Sequence, residues 1–290
     1  MENTITAKTR DSTFNIGHSS SHLGKLESIL TEVNTTDARH YPTFRGILKS
    51  LDDYQNDLKY EISKEKLIEV TEIVSNSLSL NQAIPISRQF PLLDVIRSPQ
   101  EFLEVMQLRS EVYNQVEFTK TPELNDPIKG LNYHKYDRDS VVITYRNMTG
   151  ELIGTISFIL NSEDNGLPSD IYFDSNSFEP KSKLAELTRL AIKEEYRGYK
   201  DRLIFRSMYA EVYKIAKWLE IDYFIMTSFK KLSEQYMQFG SHKILNRLTG
   251  YGDLKGEVMV LAWNPNEPSE FFKNRFIETL NSKEELRNLQ

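Results

Sequence analysis

The segment that most constrains the fold is residues 184–218, LAELTRLAIKEEYRGYKDRLIFRSMYAEVYKIAKW. It begins with an apolar strand-like run, continues through a charged turn with a single glycine, and ends in a segment with helical periodicity. The apolar positions of that helix are Ile204, Met208, Val212, Ile215 and Leu219. A second apolar run, DYFIMTSF, follows at residues 222–229. This alternation of strands and helices is typical of a mixed α/β domain.

The same alternation runs from residue 90 towards the C-terminus. FPLLDVIRS predicts a strand, and the next segment predicts a helix with Ser98 as its N-cap and Pro99 in its first turn. Residues 140–160 predict a two-stranded hairpin around a Thr-Gly turn. A short helix, the strand candidates HKILNRL and EVMVLAWN, and a helix from Pro268 complete the series. We therefore predict an α/β (α+β) fold with a mixed sheet of about seven strands and flanking helices.

Residues 1–88 differ from this pattern. Residues 1–20 are polar and rich in Ser and Thr, which predicts a mobile tail. Apolar stripes at residues 23–33 and 58–78 predict a helical hairpin, connected by residues 34–44. The longer stripe consists of Leu58, Ile62, Leu67, Val70, Ile73, Val74 and Leu78. NQAIPISRQFP, residues 81–91, is the predicted junction, so we divide the chain into residues 1–20, 21–88 and 89–290.

The composition excludes several classes of function. With 36 basic and 42 acidic residues the net charge is -6, which argues against a nucleic acid partner. The chain has no cysteine, so disulfides, thiolate metal sites and a cysteine nucleophile are excluded. Its five histidines show no metal-binding spacing, and we predict no metal site. No apolar run has the length of a membrane span or signal peptide, so a cytoplasmic protein is expected.

The charged turn after residue 192 is a candidate phosphate site. Arg197, Lys200 and Arg202 surround Gly198 at the predicted start of a helix, where unpaired backbone N–H groups favour anions. The turn is not a Walker loop, because no Gly-Lys-Ser/Thr follows, and it is not a dinucleotide fingerprint, because the further glycines are missing. Taken alone, the turn is better explained as a solvated charged loop.

Three motifs make the chain resemble the GNAT N-acyltransferases: LTRLAIKEEYRGYKDR, the strand DYFIMTSF, and LSEQYMQFGSHKI. The resemblance implies a splayed sheet, opened by a bulge in the strand at residues 184–192. It also implies that the backbone of Leu190, Ala191 and Ile192 holds a pantetheine arm while the turn with Arg197, Gly198, Lys200 and Arg202 holds its phosphate. Tyr236 would be the general acid that protonates the leaving thiolate.

Within this superfamily the chain looks most like the N-acyl amino acid synthases and the acyl-homoserine-lactone synthases. GNAT turns usually carry small residues where this chain has Lys200 and Arg202, and these relatives tolerate that departure. LRSEVY contains Arg109, and ELTR contains Arg189. These two segments, and Asp137 before the second strand, resemble motifs of these synthases. The resemblance implies substrate-binding roles for Arg109, Asp137 and Arg189. Two departures are His134 in place of an acidic residue and, on the third strand, Thr155 or Ser157 where an arginine is usual.

Glu186 and Arg189 lie an odd number of residues apart, so a regular strand would direct them to opposite faces. A bulge near residues 187–190 would restore a common face. Glu186 would then accept a proton from the substrate amine while Arg189 binds a carboxylate. The alternative is a purely structural ion pair within the sheet.

The resulting functional hypothesis is an N-acyltransferase that moves a long acyl chain to the amine of an amino acid or similar small acceptor. The donor would be acyl carrier protein, through its phosphopantetheine, or acyl-CoA, with no tightly bound cofactor. One alternative is a catalytically inactive GNAT-like domain that binds acyl thioesters or a partner. A second alternative is an acyl-homoserine-lactone synthase, which would use S-adenosylmethionine as acceptor.

Overall fold

The fold is described from a computed structural model that covers residues 41–58, 62–85, 92–115, 126–174, 177–179, 181–198, 202–249 and 256–278. The strands are β1 (Leu93–Val95), β2 (Ser140–Arg146), β3 (Leu152–Leu160), β4 (Leu184–Ile192), β5 (Tyr223–Phe229), β6 (Gly240–Leu248) and β7 (Val258–Pro268). The α-helices are α1 (Tyr41–Leu58), α2 (Lys64–Ala83), α3 (Pro99–Asn114), α4 (Leu203–Leu219), α5 (Lys230–Tyr236) and α6 (Glu270–Phe272). A π-helix, Lys273–Glu278, continues α6.

The strands form one seven-stranded sheet in the order β1-β2-β3-β4-β5-β7-β6. Its neighbours are antiparallel except for β4 and β5, which are parallel and connected through α4. The prediction of a mixed, seven-stranded sheet with flanking helices is therefore confirmed. Ser98 caps α3 through a capping box with Glu101, and Pro99 lies in the first turn, as the sequence predicts.

β4 and β5 separate after only three residue pairs. They pair from Leu184 and Tyr223 to Glu186 and Ile225, and no β5 partner for residues 187–192 is found among the described pairs. On the other side of β4, Thr188 pairs with Ser157 of β3 whereas Ala191 pairs with Thr155. β4 therefore contains one extra residue between these pairs, which is a β-bulge. Within it, Arg189 adopts a left-handed backbone conformation with φ of 58°.

The helices cover opposite faces of the sheet. Val141 and Ile143 of β2 pack in a hydrophobic cluster with α4, whereas Val142 packs in a second cluster with α1, α2 and α3. Successive residues of a strand point to opposite faces, so this alternation places the two helical layers on either side. The two-residue period of β2 thus decides which helical layer each side chain packs against.

The N-terminal helices differ from their predicted bounds. α1 begins at Tyr41, inside the segment predicted to connect two helices. Pro42 is compatible with this start, since a proline in the first turn of a helix removes only an N–H that has no partner within the helix. The stripe predicted as one helix from Leu58 is interrupted, and α2 begins after the N-cap Ser63, which accepts from the Lys66 backbone N–H. The predicted tail and the predicted helix at residues 23–33 lie outside the described residues.

The end of α2 is bonded to the sheet through one buried side chain. The Asn81 amide nitrogen donates to the Ser140 carbonyl at 2.9 Å, and its oxygen accepts from the Val142 N–H at 2.9 Å. The Asn81 side chain thus forms the same pair of bonds to β2 that a neighbouring strand would form. Arg97, just after β1, donates to the carbonyls of Asn81 and Ile84 and so satisfies the C-terminus of the helix.

Among the described residues, no helix combines the length and apolarity needed to cross a bilayer. The predicted C-terminal helix is observed as α6 and its π-helical continuation, starting after the N-cap Ser269. Phe272 and Phe276 of this segment are buried against α4 and join the core on that face. The segment therefore closes the end of the sheet beside the start of α4.

Candidate active site in the opened sheet

The separation of β4 and β5 creates a cavity of about 250 Å³. Its walls come from the bulged part of β4, the end of β5, α3, α4 and α5. The lining residues with polar side chains are Tyr113, Thr188, Arg189, Tyr209, Thr227, Ser228 and Tyr236. We call this cavity the wedge.

Glu186 is located where β4 and β5 part, directly before the strand residues that line the wedge. Its side chain is 4% exposed, and its Oε2 accepts from the Ser169 backbone N–H at 2.9 Å and from the Ser169 hydroxyl at 2.7 Å. Burial raises the pKa of Glu186 to about 7, although both bonds from Ser169 act in the opposite direction. A carboxyl group with this pKa exchanges protons near neutral pH, as a general base must.

Arg189 lines the wedge and donates to the Asn132 side-chain oxygen at 2.8 Å. Asn132 in turn donates to Asp126 at 3.2 Å, and Asp126 also accepts from the Ser110 hydroxyl. Among the described residues Arg189 forms no ion pair with Glu186. The guanidinium is thus oriented by an amide and not neutralised by the neighbouring carboxyl group, which favours the predicted anion-binding role over a structural ion pair.

Arg109 and Asp137 form a buried ion pair at 3.0 Å, with side chains 0% and 1% exposed. A second Arg109 nitrogen donates to the Ser157 hydroxyl at 2.6 Å, on the third strand where the sequence lacks an arginine. Burial acts to raise the pKa of Asp137, but Arg109, Arg189 and the His134 backbone N–H bring it below its ordinary value. The pair is shielded from solvent, so it would influence a substrate through its neighbours.

Tyr236 reaches the wedge from the end of α5. The Tyr209 hydroxyl, from α4, donates to the Tyr236 hydroxyl at 2.9 Å. Burial raises the pKa of both tyrosines, and the bond from Tyr209 acts to lower that of Tyr236. Because Tyr209 provides the proton of this bond, the proton of Tyr236 is available to a group in the wedge.

The turn after β4 holds part of the predicted phosphate site. Arg197 donates through Nε to the Ile192 carbonyl at 3.0 Å, and the backbone of Arg202 is left-handed, with φ of 60°, directly before α4. Arg202 also donates to the Gln235 side chain at 3.3 Å. Gly198 has no atom within 4 Å of the place where a Cβ would be added. Lys200 lies outside the described residues.

Of the predicted site residues, the structure brings Arg189, Leu190 and Tyr236 to one cavity and places Glu186 at its edge. Ala191, Ile192 and the turn follow along the chain and are not part of the described cavity wall. Ser169, Asn132 and Tyr209 are three contributors that sequence reasoning missed. Each acts through a partner more than 15 residues away, and no local motif signals such a contact. Within the described part of the chain, no cluster of side chains has the composition of a metal site.

Comparison with known proteins gives a family profile and several solved structures. The profile of the family described as N-acyl amino acid synthase FeeM matches residues 104–264. The structure of FeeM, an N-acyl amino acid synthase from uncultured soil microbes, is 19% identical with a TM-score of 0.44, over 64% of this chain and 94% of that one. TofI, solved with an inhibitor and MTA, is 16% identical with a TM-score of 0.47, over 67% and 98% of the two chains.

MesI, a CoA-dependent acyl-homoserine lactone synthase, is 12% identical with a TM-score of 0.45, over 61% of this chain and 86% of its own. A search of curated proteins found no match.

Proposed function

Because this chain belongs to the N-acyl amino acid synthase FeeM family, we propose that it transfers a long acyl chain from a pantetheine thioester to the amine of an amino acid or similar small acceptor. The observation that carries the proposal is the wedge, which has Glu186 at the point where the strands separate and Tyr236 on its wall. Amine acylation requires a base for the attacking amine and an acid for the departing thiolate, and Glu186 lies one residue before the β4 residues that line the wedge.

Glu186 is the proposed general base. It takes a proton from the acceptor ammonium or amine, directly or through a water, as the nitrogen attacks the thioester carbonyl. With a pKa of about 7, a substantial fraction of Glu186 is ionised at neutral pH and able to accept that proton. Ser169 holds the carboxyl group through Oε2, which leaves Oε1 for the substrate.

Tyr236 is the proposed general acid. When the tetrahedral intermediate collapses, the C–S bond breaks, and the Tyr236 hydroxyl gives its proton to the departing thiolate. The resulting phenolate is stabilised by the hydrogen bond that Tyr209 donates, since such a bond strengthens when its acceptor becomes charged. The proton accepted by Glu186 and the proton lost by Tyr236 are returned through solvent, so the reaction is neutral overall.

Arg189 is the proposed site for the acceptor carboxylate. It lies in the wedge wall, and its bond to Asn132 restricts the orientation of the guanidinium. The Arg109–Asp137 pair lies behind it and contributes electrostatically. We assign this pair a positioning role for the acceptor site, because its side chains are almost completely buried.

The donor is proposed to enter along the unpaired edge of β4. Residues 190–192 supply backbone groups for the pantetheine amides, and the turn from Arg197 to Arg202 supplies positive charge for phosphate. Both acyl carrier protein and coenzyme A carry this arm, so both are candidate donors at this stage. The absence of cysteine fits direct transfer within a ternary complex.

The test is product analysis by mass spectrometry after incubation with acyl-CoA or acyl carrier protein thioesters and a mixture of amino acids. We expect an N-acyl amino acid, and we expect Glu186→Gln and Tyr236→Phe each to reduce turnover at least about 100-fold. Glu211→Gln is the matched control, because Glu211 is also buried but lies on α4 away from the wedge.

Thioester binding without any acylated product would support the inactive binding domain instead. A lactone formed only with S-adenosylmethionine would support the homoserine-lactone synthase. Unchanged turnover in Glu186→Gln would refute the role assigned to that residue.

A further inference from the structure

A buried tyrosine of α1 is bonded to a turn that leads into the candidate active site. Tyr54 is 9% exposed, and its hydroxyl donates to the Lys129 carbonyl at 2.8 Å. Burial raises the pKa of Tyr54, and the charge of Asp126 acts in the same direction, so the hydroxyl keeps the proton that it donates in this bond. α1 precedes residues 104–264, the part of the chain that the family profile matches.

The turn is shaped around this hydroxyl. The Leu131 N–H donates to the Ile128 carbonyl at 2.8 Å, and these two residues form a β-bridge that closes the turn. Gly130 has a left-handed backbone, with φ of 76°, and a Cβ at this position would lie 2.5 Å from the Tyr54 hydroxyl oxygen. A glycine is therefore required for the turn to approach the hydroxyl this closely.

Asn132 follows the turn and connects it to the wedge. Its backbone N–H donates to the Met106 carbonyl of α3 at 3.1 Å, and its side chain is 1% exposed. That side chain donates to Asp126 at 3.2 Å and accepts from Arg189 at 2.8 Å. The amide oxygen accepts from Arg189 only while the amide nitrogen faces Asp126, because the two atoms cannot exchange roles. A movement of the turn would therefore be transmitted to the Arg189 guanidinium in the wedge wall.

We infer that Tyr54 is a positioning residue for the acceptor site. It holds the turn at residues 128–131, the turn holds Asn132, and Asn132 orients Arg189 for the acceptor carboxylate. The inference rests on the proposed function, because that function gives Arg189 its carboxylate. It adds a role for α1, a helix that contributes no side chain to the described wall of the wedge. Loss of the Tyr54 bond should loosen Arg189 without removing any group that would touch the substrate.

Tyr54→Phe tests the inference, because it removes the bond to Lys129 and keeps the aromatic ring in its hydrophobic cluster. The assay compares the amino acid that the wild type acylates fastest with the amine that lacks only its carboxyl group. We expect the KM for the amino acid to rise about three- to fivefold, while kcat and the KM for the amine stay unchanged. In an Arg189→Gln background, Tyr54→Phe should have no further effect on either KM.

Tyr133→Phe is the matched control. Tyr133 is 2% exposed, belongs to the same hydrophobic cluster and is next to Asn132 in sequence, and its hydroxyl has no hydrogen-bond partner in the described part of the chain. Its substitution should therefore leave both KM values unchanged. Gly130→Ala is a second informative variant, and it should raise the KM for the amino acid as Tyr54→Phe does, because the added Cβ would displace the Tyr54 hydroxyl.

Equal changes in both KM values, no change in either, or the same change in Tyr133→Phe would overturn the inference. A second measurement does not depend on turnover: the NMR signal of the Arg189 Nε–H group, which is identified because Arg189→Gln removes it. Tyr54→Phe should shift or broaden this signal and Tyr133→Phe should not, and an unchanged signal in Tyr54→Phe would overturn the inference. If the wild type formed no N-acyl product, the proposed function would fail, and this signal alone would decide whether Tyr54 orients Arg189.

Discussion

The raised pKa of Glu186 predicts that replacing this residue with glutamine removes a loss of stability that the wild type undergoes as pH rises. The carboxyl group has a pKa of about 7 in the folded protein against 4.5 ordinarily, because it is buried. Below pH 4.5 both the folded and the unfolded chain carry the proton. Between 4.5 and 7 the unfolded chain ionises while the folded one does not, so the free energy of unfolding falls as pH rises.

The magnitude follows from the size of that shift. At 1.36 kcal/mol for each pKa unit, the wild type should lose about 3 kcal/mol of stability from this one group by pH 8.5. Glutamine carries no ionisable proton, and its carbonyl oxygen still accepts both hydrogen bonds from Ser169. The free energy of unfolding of Glu186→Gln minus that of the wild type should therefore increase by about 3 kcal/mol between about pH 4.5 and pH 8.5.

Urea unfolding followed by tryptophan fluorescence measures this difference, because Trp263 is completely buried in the core. Comparing two proteins at each pH cancels the titration of all other groups. A difference that stays constant across this range would refute the reasoning, since it would mean that Glu186 has the same pKa in the folded and unfolded chains. Ser169→Ala should enlarge the total loss of stability and extend it to higher pH, because the Ser169 hydroxyl stabilises the ionised form.

Three further predictions concern the site and the scaffold. Tyr209→Phe should lower kcat about tenfold by removing the bond to Tyr236, and the loss should shrink for thioesters of more acidic thiols; an equal loss with every thiol would indicate a merely structural effect. Arg189→Gln should raise the KM for an amino acid about tenfold but not that for its decarboxylated amine, and equal effects on both would contradict a carboxylate site. Asn81→Ala should reduce stability by about 3 kcal/mol in urea unfolding, whereas Asn76→Ala, on the exposed side of the same helix, should change it little; similar effects would exclude a special role for the buried amide.

Much of the fold from residue 90 onwards could be predicted from periodicity. Strands and helices there follow local patterns, and the bulge that the family resemblance implied in the strand at residues 184–192 is confirmed by the pairing of β3 and β4. The resemblance to the N-acyl amino acid synthases is confirmed by the family profile, and with it the assignment as an N-acyltransferase. Both succeeded because the motifs involved are short and continuous in sequence.

The misplaced features depend on interactions that are not local. The polar segment 34–44 was predicted as a connection, yet Pro42 is compatible with the first turn of a helix, and the packing of α1 in the same cluster as α2 and α3 favours that outcome. Arg109 and Asp137 were predicted as substrate residues from their motifs, but sequence does not show that they face each other in the core. Tyr209 was not singled out from the sequence, because its bond to Tyr236 joins residues 27 positions apart.

The three residue pairs that join β4 to β5 have a mechanical consequence. They divide the sheet into a half with β1 to β4 and a half with β5 to β7, and α4 is the covalent link between the halves. A ligand that enters between the halves acts at a place where only three residue pairs join them. We expect the sheet to bend most easily at this point of entry, so that the groups proposed for catalysis keep their positions within a half while the gap between the halves adjusts.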